Sequence, residues 1–113
     1  MIEGLYSVIL VSGTFVPGTK WRLTEDLLVT FHTSELWGVV ASDVWIEEYG
    51  HGKTKEDAVL DLLLSMVELR ESLERRVTYG HRTLSDGLQR ELNYLQRIFT
   101  LNPAPQINLE NWS

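Results

Sequence analysis

The sequence predicts an α+β domain: an antiparallel sheet of three to four strands, a long helix packed on one face, and a second, C-terminal helix. Three observations carry this. Between Leu5 and Tyr49, short β-rich runs alternate with turn residues. From Thr54, an apolar helical pattern runs unbroken to Glu74-Arg75-Arg76. After Gly80, a second stripe recurs at helical spacing. The chain has 113 residues, enough for one domain and a modest core. That domain is expected over residues 1–101. Residues 102–113, with Pro103, Pro105, Ile107, Leu109 and Trp112, read as an extended or disordered tail.

Leu5–Val11 reads as the first strand. Ser12–Thr19 holds Gly13 and the Pro17-Gly18 pair, a turn with proline at its second position. Lys20–Leu23 is a short strand carrying Trp21, and Thr24-Glu25-Asp26 a bend. Leu27–His32 alternates, with Leu27, Val29 and Phe31 against Leu28, Thr30 and His32. Thr33-Ser34-Glu35 fits a hairpin turn, and Leu36–Ala41 the next strand, with Trp37, Val39 and Ala41 on one face. Val44–Tyr49 completes the set, Trp45, Glu47 and Tyr49 alternating with Val44, Ile46 and Glu48. Gly50 and Gly52 flank His51, which suits a tight turn with positive φ.

The long helix is expected from about Lys55 to Val77. Thr54 is its N-cap, accepting from the amide near Asp57. Glu56 and Asp57 place negative charge in the first turn, and Arg75 and Arg76 positive charge in the last, as the helix dipole favours. Glu71 and Arg75 stand i,i+4 in the better orientation. At about 100° per residue, Ala58, Val59, Leu62, Leu63, Met66, Leu69, Leu73 and Val77 share one arc, facing the sheet. Leu60, Leu64 and Val67 form a surplus strip beside it. Either the second helix covers the strip or another subunit does. Thr83 is the candidate N-cap of the second helix, which carries Leu84, Leu88, Leu92, Leu95 and Phe99, with Tyr94 and Ile98 beside them, to about Thr100. Tyr94 and Ile98 thus join Leu60, Leu64 and Val67 as candidate interface residues of a homodimer or a dimer of dimers.

Composition narrows the function. No apolar run approaches the ~18 residues of a membrane span. Glu3 and the short Val8–Val11 run do not make a signal peptide, so a cytoplasmic location is expected. Without a cysteine there is no disulfide, thiolate nucleophile or cysteine-based zinc site. Net charge is −6 and uneven: residues 1–52 carry two basic groups against seven acids, residues 53–113 eight against nine. An acidic sheet half repels phosphate, so direct nucleic-acid binding is not expected. It suits a basic protein partner.

No catalytic constellation stands out, and no catalytic, cofactor or metal residue is assigned. His32, His51 and His81 fall in different elements without HExxH or HxH spacing. Asp43, Glu47, Glu48, Glu56, Asp57 and Asp61 are rich enough in carboxylate for a metal-dependent nuclease or a glycosidase. Capping and a solvated helix face explain Glu56, Asp57 and Asp61. Gly50-His51-Gly52-Lys53-Thr54 lacks the spacing of a phosphate loop. Trp21, Trp37 and Trp45 are core residues, or one of them is an exposed interface anchor.

Gly52-Lys53-Thr54-Lys55-Glu56-Asp57-Ala58 resembles the G-x-T-x-E-E-A segment that opens the main helix of HicB-like antitoxin domains, with Asp57 in place of the second acid. The following leucine-rich helix is similar too, and the resemblance spans roughly Leu27 to Leu73. It implies an α+β domain like a partial ribonuclease H fold without that enzyme's active site. It also implies oligomerisation and, in true antitoxins, binding of a small basic toxin ribonuclease. The family's proline-containing segment before the junction is replaced by Ser42-Asp43-Val44-Trp45-Ile46, and no helix-turn-helix or ribbon-helix-helix module follows. The leading expectation is a non-enzymatic protein-interaction domain, an antitoxin or a derivative of one. The rivals are an RNA-processing or metal-dependent hydrolytic enzyme around Asp43 and Glu47, and a purely structural oligomerisation module.

Overall fold

The computed structural model describes residues 6–36, 38–80 and 83–101. Trp37, His81 and the tail with Trp112 lie outside them. The elements run β1 (Tyr6–Leu10), β2 (Trp21–Leu23), β3 (Leu27–Ser34), β4 (Gly38–Asp43), β5 (Tyr49–Gly52), α1 (Lys55–Thr78), α2 (Asp86–Ile98) and β6 (Phe99–Leu101). The expected α+β class holds. β1, β3, β4 and β5 form a four-stranded antiparallel sheet in that order, and β2 pairs with β6 in a second, two-stranded sheet.

Alternation decides which face of the larger sheet is dry. Leu27, Val29 and Phe31 on β3 are buried, while Leu28 and His32 are exposed. The register sets Phe31 opposite Ala41 and Val29 opposite Asp43, so this inner face continues onto β4. Helix α1 lies across β4 and β5 on that side and buries Ala58, Leu62, Leu63, Met66, Val67 and Leu73. Its start is as expected: the Thr54 hydroxyl accepts from the Asp57 amide at 3.1 Å. Thr54→Ala is therefore expected to lower stability by about 1 kcal/mol in urea unfolding. No change at all would mean that another group caps the helix. The i,i+4 ion pair that forms is Arg70–Glu74 at 3.0 Å rather than Glu71–Arg75. Arg70 is held by more than charge, since it donates to the Phe99 carbonyl at 2.7 Å and lies 4.1 Å over the Trp21 ring.

Several boundaries differ from expectation, and the strand expected at Leu36–Ala41 is β4, Gly38–Asp43. Residues 44–48 are a loop, not a strand, because the Asp43 carboxylate draws the amides of Trp45 and Ile46 onto one oxygen and turns the chain out of β4. The strand is β5, one step later, and Gly50 and Gly52 lie in it. Neither is in the left-handed region. They are glycines because a helix rests on them: a Cβ at Gly50 would sit 2.2 Å from the Ala58 carbonyl oxygen, and one at Gly52 2.6 Å from the Ala58 nitrogen. β3 continues through Thr33 and Ser34, and the turn follows them, with the Leu36 amide donating to Ser34 Oγ. Ser85 rather than Thr83 caps α2, and that helix ends at Ile98, where Phe99 turns into β6.

The small sheet closes one side of the core. Pro17-Gly18 makes the expected turn, with Gly18 at φ +77° and the Thr19 amide returning to the Val16 carbonyl at 3.1 Å. This brings Val16 beside Trp21, while Leu23 pairs with Phe99. Val16, Leu23 and Phe99 are fully buried with the face of α1 and α2.

Candidate functional site

The most constrained polar group among the described residues is Asp43, the one buried charged side chain. It ends β4 on the inner face. Oδ1 accepts from the Trp45 amide at 2.6 Å and the Ile46 amide at 2.9 Å. Oδ2 accepts from the Tyr94 hydroxyl of α2 at 2.7 Å. A carboxylate taken from water needs such a set of donors, and three of them offset its desolvation. One side chain thus fixes the loop after β4 and ties it to α2.

Burial, together with the hydrogen bond and the negative charge of Asp43, pushes the Tyr94 phenol well above its ordinary value. Because the folded state resists ionisation, this contribution is complete below the unfolded value near pH 10 and is lost as pH rises past it. The wild type is expected to lose urea stability between about pH 9.5 and 11 more steeply than Tyr94→Phe. Parallel curves for the two proteins would refute the assignment.

On this support stands a groove of about 480 Å³ lined by Trp45, Ile46, Gly87, Arg90, Glu91, Tyr94 and Arg97. Ile46 is its buried floor, and Trp45 is 73% exposed. The Trp45 and Tyr94 rings stand 6.5 Å apart at 50°, a tilted aromatic pair. The Arg97 guanidinium lies 5.4 Å from the Tyr94 ring centre and pairs with Glu25 at 3.2 Å. Arg90 has no ion pair among the described residues. The rim is of mixed sign: Arg90 and Arg97 face Glu25 and Glu91, with Glu47 exposed in the same loop as Trp45. An aromatic centre with a charged rim is the composition of a protein-binding surface.

The candidate interface residues disperse. Val67 and Ile98 are buried inside the subunit's own core. Leu64 and Tyr94 are partly buried against that core, and Leu60 is partly buried. Helix α2 packs on α1, and Val67 belongs to the core cluster of the subunit itself. Of the five, Tyr94 is the one that lines the groove.

The acidic zone does not converge. Glu48 accepts from the Ser65 hydroxyl at 2.5 Å, and Asp61 accepts from the His51 amide at 2.8 Å. Glu56 and Asp57 sit at the start of α1. Among the described residues, no three histidines or carboxylates are placed to share a metal ion. No helix among them is long and apolar enough to cross a membrane. Trp45 entered the sequence reading as a possible exposed anchor. Arg90 and Arg97 did not enter it at all, because arginines on the outer side of a helix carry no signal until a groove forms beside them.

No family model, curated protein or solved structure matches the chain.

Proposed function

We propose that the chain is a non-enzymatic protein-interaction domain of the HicB-like kind, an antitoxin or a derivative of one, whose partner is a small basic protein. The observation that carries this reading is Trp45. A large aromatic ring 73% exposed costs solvation, yet its loop is pinned by the buried Asp43 and braced by Tyr94. Rigid, exposed aromatics beside arginine are what binding hot spots are made of. The excess of acids in residues 1–52 favours a basic partner and speeds its encounter. The hydrolytic alternative asks Asp43 to hold a metal or activate water with oxygens already committed to three donors. The family assignment rests on the Gly52–Ala58 segment and on the long helix beside an antiparallel sheet.

The test is co-expression with the product of the adjacent reading frame where that product is small and basic, followed by titration of the purified pair. Trp45→Ala is expected to weaken the complex at least tenfold, about 1.4 kcal/mol or more, while shifting the unfolding midpoint little. Unchanged affinity would remove the groove from the interface. Divalent-metal-dependent RNA cleavage by the purified chain, lost in Glu47→Gln, would overturn the non-enzymatic reading. Tight, salt-sensitive binding to duplex DNA would overturn the charge argument.

A further inference from the structure

The described chain ends in the wall of a hollow. Leu101, the last residue of β6, stands there with Lys20, Trp21, Glu71, Arg75 and Tyr79 around a space of about 350 Å³. A second hollow, at Gly18 and Thr19, shares Lys20, Trp21 and Glu71 with the first. The two make one trough between the C-terminal half of α1 and the start of β2. Trp21 is its buried floor, with the Arg70 guanidinium over the ring at 4.1 Å. Part of its rim is apolar: Tyr79 is 78% exposed and Leu101 52%. Its charges do not balance. Glu74, also in the wall, is engaged by Arg70 at 3.0 Å. Lys20 and Arg75 have no ion pair among the described residues, and only Glu71 is left to face them.

We infer that this trough receives the chain's own residues 102–113, with the Trp112 ring anchored against Trp21, Tyr79 and Leu101, and the Glu110 carboxylate held by Lys20 and Arg75. Position selects this occupant. The segment starts at the wall of the trough, and Trp112 comes eleven positions after Leu101. At ~3.3–3.6 Å per residue, that is a reach of about 40 Å. Helix α1 rises only about 10 Å from Glu71 to Thr78, so every part of the trough is within range. A tether this short holds Trp112 at an effective concentration in the millimolar range, which a separate protein of ordinary abundance does not match.

Charge selects the same occupant. Residues 102–113 carry one acid, Glu110, and no base. Two unmatched cations against one free acid favour such a segment, and a guanidinium takes a carboxylate through paired donors. A separate basic protein is the poorer occupant, because Lys20 and Arg75 repel it. The groove around Trp45 is the poorer host: Arg97 there is already paired with Glu25, which leaves Arg90 against Glu91. An indole ring laid on Trp21 and Tyr79 also brings a large apolar area to a rim that has two exposed apolar side chains.

The chain has no cysteine, so a pair introduced into the full chain reports on proximity alone. Thr78→Cys lies exposed in the trough wall, and Ser113→Cys stands beside the anchor. In a glutathione redox buffer, their disulfide within one chain is expected to form at least tenfold faster than in the same pair carrying Trp112→Ala or Glu110→Lys. Arg75→Glu added to Glu110→Lys is expected to restore the rate. Unfolding midpoints confirm that the variants fold. Equal rates with and without Trp112 would overturn the inference, because the tether alone would then explain the trap. Faster closure in a Gly87→Cys, Ser113→Cys pair would overturn it too, and would place the segment in the groove around Trp45. A disulfide that forms only between two chains would overturn it by giving the trough to another copy's segment. Trp45→Ala is expected to leave the trapping rate unchanged, so this inference and the partner-binding role of the groove fail separately.

Discussion

Gly50→Ala is expected to be the most damaging single-atom change in the main sheet. The new Cβ would lie 2.2 Å from both the Ala58 carbonyl oxygen and the Leu62 amide nitrogen, and 2.7 Å from the Leu62 Cα. All three are backbone atoms of a continuous helix, so no side-chain rotation relieves the clash. Helix α1 must instead lift from β5 by about an ångström, the gap between 2.2 Å and normal contact. Ala58 and Leu62, both fully buried, would then lose contact on the sheet side. Overpacking against an immobile neighbour costs roughly 3 kcal/mol, a large share of the ~5–15 kcal/mol that holds a small domain together. The expected readout is a drop in melting temperature of more than about 10 °C, or failure to accumulate folded protein. Gly87→Ala is the control. Nothing lies within 4 Å of that position, which is in the first turn of α2. It should be neutral or stabilise by up to about 1 kcal/mol. Equal effects at the two glycines would show that helix propensity rather than close approach explains Gly50.

Asp43→Ala is the second large effect. It removes the acceptor of two backbone amides and one phenol at once. Each hydrogen bond to a charged group contributes about 1.5–3 kcal/mol, and donors left buried without a partner add their desolvation cost. A loss of roughly 3–5 kcal/mol in urea unfolding follows. Asp43→Asn should recover part of it. The amide oxygen still accepts from Trp45 and Ile46, and the Tyr94 hydroxyl accepts from the new NH₂. The two substitutions also differ in the groove: Trp45 fluorescence and near-ultraviolet dichroism should stay close to wild type in the asparagine variant and change in the alanine variant. If both variants unfold alike, the charge rather than the acceptor geometry holds the loop.

How legible this architecture was in the sequence depended on whether the deciding interaction is local. Helix α1 was readable because its cap, its end charges and its periodicity all lie within one segment and agree. The alternation of β3 was readable for the same reason. β5 was not, because Gly50 and Gly52 take their meaning from a helix backbone that arrives later in the chain. Their spacing of two was the available signal: two glycines on one face of a strand mark a surface that something approaches closely. The end of α2 was hidden because Phe99 continues the apolar stripe of Leu92 and Leu95, and only β2, from the other half of the chain, turns it into a strand. The groove was hidden most deeply. Its keystone joins Asp43 to Tyr94, 51 positions apart, and neither residue is distinctive in its own segment. The surplus trio Leu60, Leu64 and Val67 was visible as a pattern, yet a pattern does not say whether a neighbouring helix or another subunit covers it.

The pairing of β2 with β6 has a consequence for how the chain is made. Trp21 meets Leu101, and Leu23 meets Phe99, so an early hairpin is completed only by a late segment. The larger sheet needs nothing beyond residue 52, and α1 can settle on it soon after its last turn is synthesised. Leu23 and Trp21 have no such early partner strand. At about 5–20 residues per second, they leave the ribosome on the order of ten seconds before β6 does. During that interval the hairpin presents an unpaired edge and two large apolar side chains to solvent or to whatever waits at the tunnel exit. A protein that engaged Trp21 and Leu23 then would meet them for one brief period in the life of each chain, before β6 seals them away.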